Sequence, residues 1–401
     1  MKIWHLTRTL SGGAGLYALR VSQALNEHGL NSTVLLAEGA IPEGTRALTR
    51  LISPRRRLTT RAFRSVSHRI ALGPFHSLNG PEIYESVEPI KSGDIVHLHG
   101  MTAWIGLRGL RRLIPKGARV FWTGHDLWML SGGCVVYGGC HRFSSDCSDC
   151  PILRSPWKGL ARYELNSKQS FMAEYQIRPI ANSRWMADRI GESRLFAKSG
   201  PVSIIPPIVD AAYFKPDLAD LRGSLRIDAR RIVLCLGARS LDDKFKGIPA
   251  FLAELARTPA LAGQVTALLF GPGKIEVPTN LDVRFLGSVP NPAELAKVYR
   301  TGDVFVSPSA METFGMTLVE AQSCGTPVVA FDVGGIRDAV HPEFEGWLEP
   351  TSRMDNLVGR LKRFLQGHPM DQGKKKSLRD WAEHSFSAAR VAKAQRAVYE
   401  R

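Results

Sequence analysis

Residues 309–330 read SAMETFGMTLVEAQSCGTPVVA, and this stretch decides the fold of the chain. Small residues predict a loop at its start, a helix is predicted from about Met316, and an apolar run predicts a buried strand from Pro327 to Phe331. A loop that leads into a helix and then into a buried strand is typical of a parallel sheet covered by helices. The stretch therefore predicts an α/β fold.

Two acidic residues, Glu312 and Glu320, stand eight positions apart in this stretch. Eight residues span about two helical turns, so Glu312 is predicted in the loop and Glu320 on a nearby face of the helix. Between them, Phe314, Gly315 and Met316 offer backbone N–H groups at a helix N-terminus, where phosphate binds well. Two carboxylates around an anion site suit a nucleotide sugar, which has hydroxyls at both ends and a diphosphate between. The alternative is a first-turn helix charge and a solvated helix residue.

The rest of the chain repeats the alternation of strand and helix in two halves, and 401 residues are too many for one core. Strands are predicted at Lys2–Leu6, Ser32–Leu36, Asp94–Leu98, Arg119–Thr123, Arg178–Ala181, Arg231–Leu236, Val265–Phe270, Val283–Leu286, Asp303–Val306, Pro327–Phe331 and Trp347–Leu348. The main predicted helices are Ala14–His28, Ile248–Thr258, Ala293–Thr301, Met316–Cys324, Arg353–Gln366 and a charged one at Lys374–Arg401.

This pattern predicts two doubly wound domains whose strand ends face a central cleft. The first is expected at residues 1–215, with a cysteine-rich insert near 131–151, and the second at 216–380. The last segment, 381–401, is expected to form a helix that packs back on the first domain.

The net charge of +16 is uneven along the chain. Residues 1–215 hold 28 Lys and Arg against 15 Asp and Glu, and Arg46–Arg69 contains eight arginines and no acid. A basic half attracts anions, so we expect an anionic membrane surface as a partner; a merely solvated surface is the alternative. Scattered aromatic residues and absent recognition motifs argue against nucleic acid.

The chain contains no apolar run near the roughly 20 residues that span a bilayer. Its first residues, MKIWHL, lead directly into a strand pattern and lack the apolar core of a signal peptide. We therefore expect a cytoplasmic protein that lies peripherally on the inner face of the plasma membrane.

Four of the six cysteines cluster as Cys134, Cys140, Cys147 and Cys150, with the spacing C-x5-C-x6-C-x2-C. In a cytosolic protein such a cluster more often binds metal than forms disulfides, and the C-x2-C half fits zinc. A structural zinc site, disulfides and free thiols all stay open.

Three further motifs lie at predicted strand ends. Gly12 and Gly13 follow the first strand and open a helix, although a plain turn explains them equally well. His125 ends another strand at the carboxyl edge, where ligands bind in such sheets. Arg239 and Lys246 follow the first strand of the second half and suit a diphosphate; a solvated loop is the alternative.

These motifs together resemble the retaining glycosyltransferases of family four, which have two Rossmann-like domains in the GT-B architecture. The resemblance rests on residues 304–321, 325–330 and 332–335, with support from 205–216, 285–287 and 246–247. The cysteine insert resembles the subgroup that builds colanic acid and other exopolysaccharides.

The resemblance implies a role for each motif. Glu312 and His125 would face the donor sugar, and Glu320 would hold the ribose hydroxyls. The implied catalytic set is His125, Arg239, Lys246 and Glu312; the implied donor-binding set is Gly12, Gly13, Gly287, Phe314, Gly315, Met316, Thr317 and Glu320.

The implied reaction is transfer of a sugar from a UDP- or GDP-sugar to a saccharide acceptor, expected to be lipid-linked, in polysaccharide biosynthesis. The first domain would bind the acceptor and the second the donor. Anomeric configuration would be retained and no cofactor would be required for catalysis. A nucleotide-sugar 2-epimerase shares the layout and is the alternative, because fold alone does not separate the two.

Overall fold

The computed structural model describes residues 1–10, 12–39, 48–52, 70–72, 75, 85–86, 88–102, 104–136, 139–197, 199–216, 219–367 and 371–401. Within these ranges the chain divides into two compact units, Met1–Pro207 with Val391–Arg401 and Ile208–Arg390. The division falls eight residues before the predicted boundary at 215. The arginine-rich segment spans Arg46–Arg69. Its side chains lie outside the described residues.

The first unit is built around a mainly parallel sheet. In the described residues its strands are β1 (Ile3–Thr7), β2 (Ser32–Leu36), β3 (Leu48–Ile52), β4 (Glu85–Ser86), β5 (Ile95–Leu98), β6 (Arg119–Gly124), β7 (Arg178–Ala181) and β8 (Ser203–Ile204), and its helices α1 (Gly13–Glu27), α2 (Leu107–Leu113), α3 (Leu160–Tyr175) and α4 (Arg184–Glu192). The strand order is β4-β3-β2-β1-β5-β6-β7-β8, with only the β3–β4 pair antiparallel. The order reverses between β1 and β5.

The second unit has a fully parallel sheet in the order β11-β10-β9-β12-β13-β14. Its strands are β9 (Ile232–Gly237), β10 (Val265–Phe270), β11 (Asp282–Phe285), β12 (Val304–Ser307), β13 (Val328–Phe331) and β14 (Leu348–Glu349). Its helices are α5 (Ile248–Ala256), α6 (Pro259–Ala262), α7 (Pro292–Thr301), α8 (Met316–Ser323), α9 (Met354–Gly367) and α10 (Gln372–Phe386). This is the strand order of the Rossmann fold, so both units confirm the predicted doubly wound class.

The central strands explain why the sequence adopts this fold. All four residues of β12 and of β13 are buried, as are Val233–Leu236 in β9. Strands covered by helices on both faces must be continuously apolar, and these runs are. The helices that follow them bury one apolar face and begin at the carboxyl edge of the sheet.

The single helix predicted over residues 374–401 is wrong. Helix α10 ends at Phe386, Ser387 is extended, and helix α11 (Ala388–Glu400) follows. The buried Phe386 ring packs edge-on against Trp381, and its carbonyl accepts a hydrogen bond from the Val209 N–H at 3.1 Å. That carbonyl is therefore not available to continue the helix. None of the helices described here is long and apolar enough to cross a bilayer.

Candidate functional site

The strand order of the second unit reverses between β9 and β12. In sheets of this kind ligands bind beyond the carboxyl ends of the strands at such a reversal. The loop after β9 carries Arg239 and Lys246, and the loop after β12 carries Glu312. The topology therefore brings three of the predicted residues to one edge of one sheet.

Lys246 and Glu312 form an ion pair at this edge. The Lys246 Nζ atom lies 2.5 Å from Glu312 Oε1 and donates a hydrogen bond to it. The two side chains keep 29% and 16% of their surface exposed. Because both side chains stay accessible to solvent, Lys246 can bind an anionic group of a ligand and Glu312 can accept hydrogen bonds from its hydroxyls.

Glycine residues hold the backbone on both sides of this pair. Gly247 has φ +68°, and a Cβ atom there would lie 2.3 Å from the Pro308 carbonyl oxygen. A Cβ atom on Gly334 would lie 1.8 Å from the Glu312 carbonyl oxygen, which also accepts a hydrogen bond from the Gly335 N–H at 2.9 Å. Only glycine allows these close approaches, so the position of Glu312 is fixed by backbone contacts.

Helix α8 begins four residues after Glu312, at Met316. Its first residue is preceded by Gly315, with φ +104°, and no side chain caps this end. The N–H groups of the first helical turn have no partner within a helix, so those of Met316 and Thr317 point outward with the positive end of the helix dipole. Phe314 is buried and packs edge-on against the Phe386 ring, with centroids 5.6 Å apart. This contact anchors the turn.

Glu320 lies within α8 and is only 7% exposed. Its Oε2 atom accepts a hydrogen bond from the Tyr299 hydroxyl at 3.0 Å. Burial and the neighbouring carboxylate raise the pKa of Tyr299 well above its usual value, so the phenol stays a neutral donor. Tyr299 was not predicted as a site residue, because an aromatic residue on an amphipathic helix is usually a core residue.

The remaining predicted residues of this unit lie in the neighbouring loops. Arg239 is exposed after β9, and no contact joins it to Lys246 or Glu312 in the described structure. The Gly287 carbonyl accepts a hydrogen bond from the Gly271 N–H at 2.7 Å. A Cβ atom on Gly287 would have no heavy atom within 4 Å, so open space adjoins this turn.

In the first unit, the glycine loop lies where β1 leads into α1. Gly12 has φ +104° and precedes the helix. Gly13 is exposed and has no heavy atom within 4 Å of a Cβ position, whereas a Cβ atom on Gly15 would lie 1.9 Å from the Thr9 carbonyl oxygen. Gly15 is thus required by packing, and Gly13 leaves open space at a helix N-terminus.

His125 is the end of a row of three hydrogen-bonded histidines. Its Nε2 lies 3.1 Å from His99 Nδ1, and His99 Nε2 lies 2.9 Å from His5 Nδ1. Burial lowers the pKa of both His5 and His125 to about 3, and that of His99 well below its usual value, so the row is neutral.

The row also fixes which nitrogen of each ring carries a proton. His5 Nε2 is buried without a hydrogen-bond partner. An orphaned lone pair costs less than an orphaned N–H, so His5 carries its proton on Nδ1 and donates to His99. His99 then donates to His125 Nε2, and the His125 proton lies on Nδ1. Sequence reasoning missed His5 and His99, although the alternation of His97 and His99 at the end of β5 was a visible signal.

Two groups of side chains in the first unit have metal-binding chemistry. His5, His97 and His99 have ligand nitrogens within 4.8 Å of one another. Both ring nitrogens of His97 are used, since Nδ1 lies 2.6 Å from the Tyr399 hydroxyl and Nε2 lies 2.7 Å from Thr123 Oγ1. Hydrogen bonds therefore account for this cluster without a metal. The second group is the predicted cysteine set, Cys134, Cys140, Cys147 and Cys150, which line one cavity as free thiols.

Comparison with known proteins gives the family. The model for "Glycosyltransferase Family 4" matches residues 11–213, and that for "Glycosyl transferases group 1" matches residues 276–383. The chain belongs to glycosyltransferase family 4. The first match covers about half of the chain and the second contains Glu312 and Glu320.

Relatives of this family 4 glycosyltransferase agree with that assignment. A D-inositol 3-phosphate glycosyltransferase from Saccharomonospora viridis is 30% identical over 328 residues, which is 73% of this chain and 70% of that protein. Among solved structures, sucrose-phosphate synthase from Thermosynechococcus elongatus gives a TM-score of 0.69 at 20% identity, covering 100% of this chain and 98% of that one. HepE from Anabaena, solved with UDP and glucose, gives a TM-score of 0.67 at 17% identity, covering 100% of this chain and 99% of that one. The structural likenesses show the GT-B fold.

Proposed function

We propose that this glycosyltransferase transfers a sugar from a UDP- or GDP-sugar to a saccharide acceptor with retention of anomeric configuration. The observation that carries the proposal is the Lys246–Glu312 pair in the loop that leads into the uncapped start of α8. Lys246 and the first helical N–H groups are suited to the diphosphate, and the carboxylate of Glu312 is suited to sugar hydroxyls. The structure of HepE with UDP and glucose supports a donor of this class.

Glu320 is proposed to bind the ribose. Its carboxylate is held by the Tyr299 hydroxyl, so one oxygen is fixed and the other is oriented before a ligand arrives. A carboxylate that accepts from two neighbouring hydroxyls matches a ribose 2′,3′-diol. Arg239, exposed after β9, and the open turn at Gly287 are proposed to complete the donor site.

The proposed chemistry needs mainly positioning and anion stabilisation. The bond from the anomeric carbon to the diphosphate oxygen breaks, and the acceptor hydroxyl oxygen forms a new bond on the same face. The acceptor proton passes to the departing diphosphate. Lys246, Arg239 and the helix N–H groups offset the negative charge that develops there, with Gly12 and Gly13 of the first unit as further phosphate donors. His125 is proposed to hold a sugar hydroxyl, and no metal is required for this step.

The setting we propose is polysaccharide biosynthesis on a lipid-linked acceptor, with the protein held peripherally at the cytoplasmic face of the plasma membrane. The excess of basic residues in positions 1–215 supports attraction to anionic headgroups. The cysteine insert, by its likeness to exopolysaccharide-building enzymes, supports the choice of pathway class.

The deciding experiment is a thermal-shift screen with UDP-, GDP- and ADP-sugars, followed by product analysis. A donor at 100 times its Kd stabilises the folded protein by about 2.7 kcal/mol, which is a clear rise in Tm. We expect UDP- or GDP-sugars to give it. NMR of the product formed with a saccharide acceptor should show the anomeric configuration of the donor. No shift with any nucleotide sugar would contradict the donor class, an inverted linkage would contradict retention, and isomerised donor without acceptor would indicate an epimerase.

A further inference from the structure

The segment from residue 131 to 153 carries little regular secondary structure. In its described part the one helical turn is Arg142–Ser144, and the β-contacts are isolated bridges from Cys134 to Phe75 and from Leu153 to Ala71. A loop of this length inside a compact domain is uncommon, because ordering it costs entropy that few contacts repay. Small or irregular segments of this kind are usually held by a cross-link or a metal.

The four cysteines of the segment converge on a single cavity. Cys134, Cys140, Cys147 and Cys150 all line it, and all four are free thiols. The thiols of Cys134 and Cys150, 16 positions apart, are within hydrogen-bonding contact. The chain thus brings together the two halves of the C-x5-C-x6-C-x2-C pattern, which the spacing alone left unresolved.

Backbone N–H groups are aimed at the sulfur atoms. The Gly132 N–H donates to Cys147 Sγ at 3.3 Å. The Leu153 N–H donates to the Cys150 carbonyl oxygen at 3.3 Å, and together with the Ile152 N–H it lies close enough to act on the Cys150 thiol. Thiolates bound to a metal are stabilised by such donors, which orient the ligand and reduce its charge.

A buried cation adjoins the cavity. Lys168 is fully buried, and its Nζ donates to the Trp128 carbonyl and, at 2.7 Å, to the Ser131 carbonyl. It interacts with the buried carboxylate of Glu164 and with the thiols of Cys134 and Cys147. Four thiolates on a divalent ion carry two net negative charges, and an ammonium group in this position offsets part of them.

We propose that Cys134, Cys140, Cys147 and Cys150 bind one structural zinc ion. Four thiolates favour zinc over hard cations, and a site with four protein ligands leaves no open position for catalysis. Each thiol loses its proton on binding, so four protons are released as four Zn–S bonds of about 2.3 Å form. Among the described residues no three of these sulfurs lie within 4.8 Å of one another. The ion therefore draws them to tetrahedral separations of about 3.8 Å.

The test is metal analysis of the full chain, purified without a metal-binding tag from zinc-supplemented cells. We expect about one zinc per chain by mass spectrometry of the elements, and six alkylated thiols in the intact mass after unfolding with a chelator. Cys150→Ala should lose the zinc, whereas Cys324→Ala, which removes a buried thiol of the second unit, should retain it.

A second measurement covers the case in which Cys150→Ala fails to fold. Titration of the wild-type protein with an organomercurial should release one zinc as the four cluster thiols react. Mass deficits that indicate disulfides, an equivalent of iron in place of zinc, no bound metal, or full zinc in folded Cys150→Ala would each overturn the proposal. None of these outcomes bears on donor binding in the thermal-shift screen, so the two proposals fail separately.

Discussion

Glu312 is anchored by its backbone and left partly open at its side chain. The carbonyl accepts from Gly335, while the carboxylate contacts Lys246. Changing the side chain therefore removes one partly exposed ion pair and leaves the loop held. An ion pair that keeps contact with water contributes up to about 1 kcal/mol to stability, so the cost in folding is small.

We predict that Glu312→Ala folds but turns over at least about 100-fold more slowly, because the sugar loses a positioning contact. Measurement of kcat with the donor found by thermal shift, beside the Tm of the variant, checks this. Glu294→Ala is the matched control, since Glu294 is an exposed residue that pairs with Lys297. Wild-type turnover in Glu312→Ala would remove this carboxylate from the reaction.

At the level of single residues, sequence and structure contribute different parts of the candidate site. Lys246 and Glu312 were predicted because charged groups at strand ends have few structural reasons to be there. Tyr299 and His5 were not predicted, because their chemistry comes from partners distant in sequence, Glu320 and His99. A hydrogen-bond donor among core residues cannot be recognised from the sequence before its partner is known.

At the level of elements, glycine positions separate turns that tolerate a side chain from turns that do not. Gly334 has φ +59° and lies against the Glu312 carbonyl, whereas Gly359 is in the middle of α9 with only the Arg363 guanidinium near, at 3.8 Å from a Cβ position. Substitution by alanine should therefore lower the stability of the protein at Gly334 and raise it at Gly359.

We predict that Gly334→Ala lowers the free energy of unfolding by several kcal/mol and shifts the loop of Glu312, because a Cβ atom 1.8 Å from a carbonyl oxygen forces the backbone apart. Gly359→Ala should raise it by up to about 1 kcal/mol, as expected for alanine in a helix. Urea unfolding of both variants measures this. Equal stability of the two would mean that the turn at Gly334 is not constrained.

Three strands of the first unit contribute histidines that are neutral in the folded protein. Burial lowers the pKa of His5 and His125 to about 3, and those of His97 and His99 well below the usual value. The unfolded chain binds protons below about pH 6.5 and the folded chain does not. Stability is thus fully present above about pH 6.5 and is lost as the pH falls from there toward 3.

We predict a loss of about 1.4 kcal/mol per buried histidine between pH 7.5 and 5.5, one unit below the unfolded pKa. Urea unfolding at the two pH values measures it. His5→Gln should reduce the difference by one such amount. An unchanged pH dependence in His5→Gln would contradict a neutral, buried His5.

Most of the elements could be predicted from the sequence, because strands buried on both faces are unbroken apolar runs. Strands β3, which reads LTRLI, and β4, which has two residues, were not predicted, since neither has a clear hydrophobic pattern. The helix break at Ser387 was not predicted because its cause is the hydrogen bond from Val209 to Phe386, 177 positions apart. The local sequence shows the helical periodicity, but long-range hydrogen bonds determine where the helix ends.

At the level of the whole molecule, the charge of +16 is concentrated in the first half. We predict binding to vesicles with anionic headgroups that weakens as salt rises, because counterions screen the attraction. Cosedimentation with anionic and with neutral vesicles measures it, and duplex DNA serves as the competing polyanion. Replacement of Arg55, Arg56 and Arg57 by Ser should weaken binding. Tight DNA binding without vesicle binding would contradict the membrane assignment.

The hydrogen bond between Tyr399 and His97 has a consequence for biosynthesis. Both residues belong to the first unit, yet all of the second unit is translated between them. When the ribosome has synthesised residue 207, it has not yet made helix α11, which carries Tyr399 and completes the first unit. The second unit can fold as it emerges, whereas the first reaches its final packing only after residues 391–401 have been made, so its uncovered surface stays accessible to chaperones while the second unit is synthesised.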